Sequence, residues 1–190
     1  MLRHHKAILK LGLPIAVGQL GVIIMGFADT MMVGRYSTEA LAASSFVNSV
    51  FNLVVFLLMG YSYGLTPLIG SLFGRGCKPQ AGTTLGSAVV CNLLFALLLM
   101  AVMGWGYTQL HHMGQPDEIT PLVRPYYLAV LASVPFPALF NALRQFTDGI
   151  TETRTAMWAL LTGNGLNILG NWLLIYGIGP FPELGLLGAG

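Results

Sequence analysis

The side chain most capable of chemistry in this chain is Asp29, the lone carboxylate in a long apolar run over residues 8–33. A charge at the centre of a membrane helix costs about 2.5–3.5 kcal/mol on insertion scales, so such a residue predicts a functional site. A second interpretation stays open. Asp29 precedes the turn-like Gly34-Arg35 by about 7 Å of helix, and a carboxylate there could simply reach water.

Three amides form the second polar feature, Asn164, Asn167 and Asn171, in the segment TGNGLNILGNWLLIYG. On a helix these offsets place all three side chains within about 60° of one another. Amides inside hydrocarbon must face the protein interior or water. They could form a structural hydrogen-bond network between helices. They could equally supply oxygen ligands, together with Asp29, for a hard cation or a proton.

The rest of the sequence lacks the residue patterns of an enzyme or of a resident cofactor. Cys77 and Cys91 offer neither a disulfide framework nor metal-ligand spacing. The histidine pairs 4–5 and 111–112 are sequence neighbours, which do not share a helix face, so we interpret them as solvated residues at the membrane edges. No phosphate-binding glycine loop or Ser/His/Asp pattern occurs.

Composition places these residues in a membrane protein. The chain is 55% hydrophobic and 8% charged, whereas soluble domains have about 25% charged residues. Its mean hydropathy is +0.71. Apolar blocks of about 20 residues match the thickness of a bilayer core, and they do not alternate as barrel strands do. We predict one all-α transmembrane domain over 1–190, with spans at 8–33, 46–73, 85–107, 122–146 and 156–178.

The positive residues predict the orientation of these spans. One side of a five-span arrangement carries Arg3, Lys6, Lys10, Arg75, Lys78, Arg144 and Arg154. The other side carries Arg35, Arg124, Glu39, Asp117, Glu118 and Glu183. The positive-inside rule then predicts a cytoplasmic N-terminus in a multi-pass protein of the cytoplasmic (inner) membrane. No basic patch with interleaved aromatic residues is present, so we expect no nucleic-acid partner.

Glycine and proline predict a tight bundle of kinked helices. The chain has 24 glycines, and small residues let membrane helices approach closely. Pairs at the appropriate spacing are Gly60/Gly64, Gly70/Gly74 and Gly82/Gly86. Pro67, Pro135 and Pro137 fall inside predicted spans and should kink them. Pro14 falls near the predicted start of the first span, where proline is tolerated.

Several segments together resemble the MATE (multidrug and toxic compound extrusion) family. They are LGLPIAVGQL, GFADTMMVGRYSTEALAA, GYSYGLTPLIGSLFGRGCKPQAG, ALRQFTDGITETRTAM and NILGNWLLIYGIGPFPELGLLGAG. The resemblance covers essentially the whole chain. It implies one lobe of a twelve-helix transporter, with five spans and the start of a sixth at 184–190. We therefore expect an N-terminal fragment that inserts into the bilayer but needs the missing C-terminal lobe for transport.

The resemblance also implies roles for the polar residues. Asp29 matches the first-helix aspartate that couples transport to a cation. Asn167 and Asn171 match a fifth-helix pair, so Na⁺ could bind at Asp29, Asn167 and Asn171, with Asn164 as a supporting polar residue. The coupling ion could equally be H⁺. The implied cargo is a small amphipathic organic cation or drug. A flippase for lipid-linked saccharides and a bundle with no transport role stay open as alternatives.

Overall fold

The computed structural model describes the backbone of residues 2–112 and 119–190, and within these ranges the side chains from residue 9 onward except that of His111. The described residues contain helices and turns but no strand. The helices are α1 (Leu2–Tyr36), α2 (Thr38–Tyr63), α3 (Leu65–Gly74), α4 (Lys78–Thr108), α5 (Thr120–Ser133), α6 (Pro135–Gly149) and α7 (Thr153–Tyr176), with short 3-10 helices at Leu110–His112 and Gly185–Ala189. The predicted all-α fold is confirmed. The predicted outward loop at Asp117 and Glu118 lies outside the described residues.

Four segments are long and apolar enough to cross a membrane: Leu9–Tyr36, Thr38–Gly74, Lys78–Thr108 and Thr120–Gly149. By length and composition the predicted count of five spans is therefore one too many among the described residues. The predicted fifth span corresponds to α7, which is 24 residues long. Its asparagines, glycines and threonines lower its mean hydropathy, although the helix packs along α1 as part of the bundle.

Proline interrupts two of the long segments, as the sequence predicts. The first break falls at Gly64, between α2 and α3, three residues before Pro67. The second falls at Val134, between α5 and α6, directly before Pro135. Proline lacks a backbone N–H and its ring clashes with the preceding turn, so the regular ladder of hydrogen bonds stops there. Pro14, in contrast, lies well inside α1, because this helix begins at Leu2 rather than near residue 8.

The interior is apolar, but two buried polar pairs join its helices. Ser62 on α2 donates a hydrogen bond to the side-chain oxygen of Asn92 on α4 at 2.6 Å. Thr66 on α3 donates to the side-chain oxygen of Gln145 on α6, also at 2.6 Å. Many large apolar side chains point outward instead, among them Phe56, which is 70% exposed. A soluble protein rarely presents so much apolar surface, whereas a bilayer favours it.

The helices α1 and α7 run parallel and in close contact. Gly18 lies against Leu160, and Gly21 lies against Leu161 and Asn164. Farther along, the Tyr176 hydroxyl donates a hydrogen bond to the Met32 carbonyl at 2.9 Å. A side chain at Gly21 would place its Cβ 2.9 Å from Leu161 Cδ2, so glycine is what permits this approach. Asp29 on α1 and the three asparagines of α7 thereby lie along one interface, which we call the α1–α7 seam.

Most glycines of the predicted pairs do not lie at a close contact between helices. A Cβ on Gly60, Gly74, Gly82 or Gly86 would meet nothing within 4 Å. Gly70 is the exception, since a Cβ there would lie 3.6 Å from the Gly149 carbonyl oxygen of α6. Spacing alone does not identify the helix face that meets a neighbour, and the closer approaches lie at the α1–α7 seam and between α3 and α6. At the second of these, a Cβ on Gly149 would lie 2.8 Å from Ile69 Cβ.

This contrast yields a matched pair of glycine substitutions. We expect Gly149→Ala to lower the free energy of unfolding by about 1–3 kcal/mol, because the new methyl overlaps Ile69 in a packed interface. Gly86→Ala adds the same methyl to open space on α4, where alanine is the better helix former by up to about 1 kcal/mol. Thermal unfolding in detergent measures both. Equal stability of the two variants would contradict the assigned α3–α6 contact.

Candidate functional site

Asp29 is held at the α1–α7 seam by one short hydrogen bond. The Asn171 side-chain nitrogen donates to Asp29 Oδ1 at 2.7 Å. Asn171 is 4% exposed, and Asp29 is partly buried. Within the described part of the chain, no side chain donates to the second oxygen of Asp29. The carboxylate is therefore oriented through one oxygen and free to bind a proton or a cation through the other.

The other two predicted amides differ in their surroundings. Asn167 Oδ1 accepts a hydrogen bond from the same Asn171 nitrogen at 3.3 Å, so Asn167 supports the amide that holds Asp29. Asn164 lies nearer the N-terminal end of α7, and its buried nitrogen has no hydrogen-bond partner among the described residues. A Cβ on Gly21 would lie 3.0 Å from that nitrogen. Asn164 therefore shares the predicted helix face but does not join the hydrogen bonds around Asp29.

On its other side, Asp29 lines a cavity of about 600 Å³ between α1, α2 and α5. Valine, leucine, methionine and phenylalanine side chains supply much of the wall. The polar part of the wall on α2 and α5 consists of Ser44, Ser45, Asn48, Ser49, Asn52, Tyr126 and Ser133. Among the described lining residues, Asp29 is the single one with a formal charge. The cavity is therefore a concave, half-apolar site with one fixed anion, which suits an amphipathic cation.

The polar stripe on α2 is not among the predicted site residues, although its helical spacing is visible in the sequence. Ser45, Asn48, Ser49 and Asn52 follow the offsets 0, 3, 4 and 7 of a single helix face. The predicted span began only at residue 46. In the structure α2 begins at Thr38, because the Ser37 side chain caps it by accepting from the Ala40 backbone N–H at 2.9 Å. This cap starts the helix about two turns earlier and brings Ser44 and Ser45 into it, whereas Ser49 already lay within the predicted span.

The fit of a bound Na⁺ depends on the orientation of Asn171. As the structure stands, Asn171 presents a donor nitrogen to Asp29, whereas Na⁺ requires oxygen ligands. Turning the amide over would present its oxygen, beside the oxygens of Asn167 and Asp29. Among the described residues, no group of three or more His, Cys, Asp or Glu side chains could hold a metal ion. The oxygen set is thus one carboxylate with two amides, and the Asn171 amide would have to turn over before these oxygens fitted Na⁺.

The MatE family model matches residues 14–173. The chain belongs to the MatE family, as the sequence motifs suggest.

Two similar relatives are multidrug resistance proteins. NorM of Vibrio cholerae serotype O1 is 31% identical over 188 residues, which are 99% of this chain and 41% of that protein. PmpM of Pseudomonas aeruginosa is 33% identical over 187 residues, which are 97% of this chain and 39% of that protein. The chain therefore spans about two-fifths of the length of these relatives.

Solved structures of the family have the same fold. A multidrug resistance MATE family transporter of the MOP superfamily, in an outward-facing conformation, is 26% identical with a TM-score of 0.87. The match covers 97% of this chain and 40% of that one. A MATE crystal structure in a bent conformation is 25% identical with a TM-score of 0.86, over 97% of this chain and 41% of that one. The chain is thus a multi-pass membrane protein with the MATE fold.

The different surroundings of the amides predict opposite effects of the same substitution. Asn171→Leu removes the donor that holds a partly buried carboxylate, and we expect a loss of about 1–3 kcal/mol in the free energy of unfolding. Asn164→Leu removes a buried nitrogen that has no partner, so we expect no loss or a small gain. Thermal unfolding of both variants in detergent gives the comparison. A loss for Asn164→Leu as large as that for Asn171→Leu would argue against this assignment.

Proposed function

We propose that this chain forms one lobe of a cation-coupled efflux antiporter in which Asp29 exchanges the coupling cation for a cationic cargo. The observation that carries the proposal is the 2.7 Å hydrogen bond from Asn171, which orients the Asp29 carboxylate beside the 600 Å³ cavity. The multidrug resistance relatives support an efflux role. The cargo would be a small amphipathic organic cation or drug, and a second lobe would complete the transporter.

In this mechanism the coupling ion and the cargo compete for one charge. An ionised carboxylate in a low-dielectric site attracts either cation strongly, and it cannot fully neutralise both. Binding of a proton or Na⁺ at Asp29 would weaken the hold on the cargo and favour its release. Because Asn171 links Asp29 to α7, a change of charge at Asp29 would also alter the α1–α7 seam. Alternating access in transporters uses such rearrangements of one bundle against another around a central site.

The charge distribution supports a topology for this lobe. We propose a cytoplasmic N-terminus in the cytoplasmic membrane, because Arg75 and Lys78 lie at the turn between α3 and α4. Arg144 and Arg154 flank the turn between α6 and α7, at the same end of the bundle as Pro14. The cavity at Asp29 would then lie toward the outer half of the lobe.

The alternative of a lipid-linked saccharide flippase receives less support. Such a cargo carries phosphate groups, which proteins bind with arginine, lysine or helix N-termini. No lysine or arginine is found in the described lining of the cavity, and its one charge is negative. An anionic cargo would therefore be repelled where a cationic one is attracted.

Neutralising Asp29 tests the proposal. We expect Asp29→Asn to abolish cation-coupled export while leaving expression near normal, because the amide keeps the shape but loses the exchangeable charge. Export is measured as drug accumulation in a drug-sensitive host, with the chain fused to the remaining part of a NorM relative. The matched control is Glu39→Gln, which neutralises an exposed carboxylate on the first turn of α2. Retained export by Asp29→Asn would refute the mechanism.

The two coupling ions make different demands on Asn171. If Na⁺ is the coupling ion, Asn171→Leu removes an oxygen ligand, and we expect export to lose its Na⁺ dependence. If H⁺ is the coupling ion, Asp29 alone carries the proton, and we expect the same variant to keep pH-driven export at a reduced rate. Export rates of the fusion under imposed Na⁺ and pH gradients distinguish the two. Unchanged rates under both gradients would show that Asn171 takes no part in coupling.

A further inference from the structure

Most of the hydroxyl groups that line the cavity already donate a hydrogen bond within the protein. Four of these hydroxyls hydrogen bond to a backbone carbonyl three or four residues earlier in their own helix. The bonds run from Thr30 to Gly26 at 2.8 Å, from Ser44 to Leu41 at 3.0 Å, from Ser49 to Ser45 at 2.7 Å and from Ser133 to Val130 at 2.7 Å. A carbonyl oxygen cannot donate, so the direction of each bond is fixed.

The cavity is consequently richer in acceptors than its residue types suggest. A serine or threonine whose proton is committed to the backbone presents only its oxygen lone pairs to a ligand. Four such oxygens, contributed by α1, α2 and α5, join the free oxygen of Asp29 around one space. The donors in the lining are neutral: the Asn48 and Asn52 amides, which also carry acceptor oxygens, the Ser45 hydroxyl and the Tyr126 hydroxyl. Tyr126 already donates to Asn48 Oδ1 at 3.2 Å.

An acceptor-rich wall distinguishes cations that have equal charge. A guanidinium or a primary or secondary ammonium group carries several N–H donors, which the hydroxyl oxygens and Asp29 can accept together. A fully alkylated nitrogen has the charge but no donor, so it would desolvate the same oxygens without replacing their hydrogen bonds to water. Leaving buried acceptors unpaired in this way carries a penalty that paired acceptors avoid.

We propose that the cavity selects cations rich in N–H donors over alkylated cations of the same charge, and that Thr30, Ser49 and Ser133 determine this selectivity. The inference rests on the proposed function, since it assumes that Asp29 attracts the cationic cargo. Asp29 supplies attraction to any cation, whereas the hydroxyl oxygens supply discrimination between them. The two contributions come from different residues, so experiment can separate them.

Two fluorescent dyes provide a matched pair of probes. Proflavine and acridine orange are both tricyclic cations, but the two primary amino groups of proflavine are dimethylated in acridine orange. Acridine orange is the more apolar dye, so general partitioning works against the proposed selectivity. Binding of each dye to the full chain in nanodiscs is measured by fluorescence, with empty nanodiscs subtracted. The readout is the ratio of the two Kd values, compared between wild type and variants.

The decisive variant is the triple substitution Thr30→Val, Ser49→Ala and Ser133→Ala, which removes three acceptors while keeping side-chain volume nearly constant. We expect it to weaken proflavine binding relative to acridine orange by about tenfold, since each lost hydrogen bond contributes modestly. Ser62→Ala, which removes a hydroxyl of α2 outside the cavity lining, should leave the ratio unchanged. If the triple variant fails to fold, the single variants Thr30→Val and Ser49→Ala, at exposed positions, should each shift the ratio by about twofold.

The outcomes separate this inference from the proposed function. A Kd ratio that stays constant in the triple and single variants, or an equal loss of both dyes, would overturn the selectivity role of the hydroxyls. Asp29→Asn should weaken both dyes alike. If instead Asp29→Asn leaves both dyes bound while the triple variant shifts the ratio, the hydroxyl selectivity stands and the role of Asp29 as the cation-exchanging charge fails.

Discussion

The arrangement of this lobe depends on the hydrogen bond between Asn171 and Asp29. In a low-dielectric interior, an unpaired carboxylate is costly, and a donor at 2.7 Å offsets part of that cost. The bond forms only because α1 and α7 run parallel at close range, and that approach depends on Gly18 and Gly21. Small residues on one helix and an amide on the other therefore act together. They leave one carboxylate oxygen bonded within the protein and the other without a side-chain donor among the described residues, beside the cavity.

The polar groups of the bundle divide into two classes by their partners. Ser62 with Asn92, and Thr66 with Gln145, satisfy each other across helices at 2.6 Å. Such pairs fix the packing of α2 and α3 against α4 and α6, and they leave little capacity for a ligand. Around the cavity, the hydroxyls of Thr30, Ser44, Ser49 and Ser133 donate only to their own helix and keep their oxygens available. A membrane interior tolerates these half-satisfied groups where they line a cavity, which water or cargo can fill.

The sequence predicted the composition of the site better than its geometry. Asp29 and Asn171 were identifiable because a charge and an amide stand out inside apolar runs, and the resemblance to the MATE family named the same residues. Helical periodicity placed three asparagines on one face, but it could not indicate that Asn164 would lie apart from Asp29, since that depends on the register between α1 and α7. Most of the predicted glycine pairs failed for the same reason, although Gly70 does lie against α6. Spacing within one helix does not identify the face that meets a neighbour.

The polar residues of α7 and the charge inside α1 lie at the same contact between the two helices. The polar residues of α7 lower its hydropathy, and α7 is not among the four segments that are long and apolar enough to cross a membrane. The same residues contact Asp29 and Gly21 on α1, which itself carries a charge inside its apolar run. The charge inside α1 is thus offset by an amide of α7, whereas the buried Asn164 nitrogen of α7 has no hydrogen-bond partner among the described residues. Local rules of sequence are expected to fail where function requires them to. Both helices depart from uniformly apolar membrane segments at the α1–α7 seam, which is why the proposed mechanism places its charge-dependent rearrangement there.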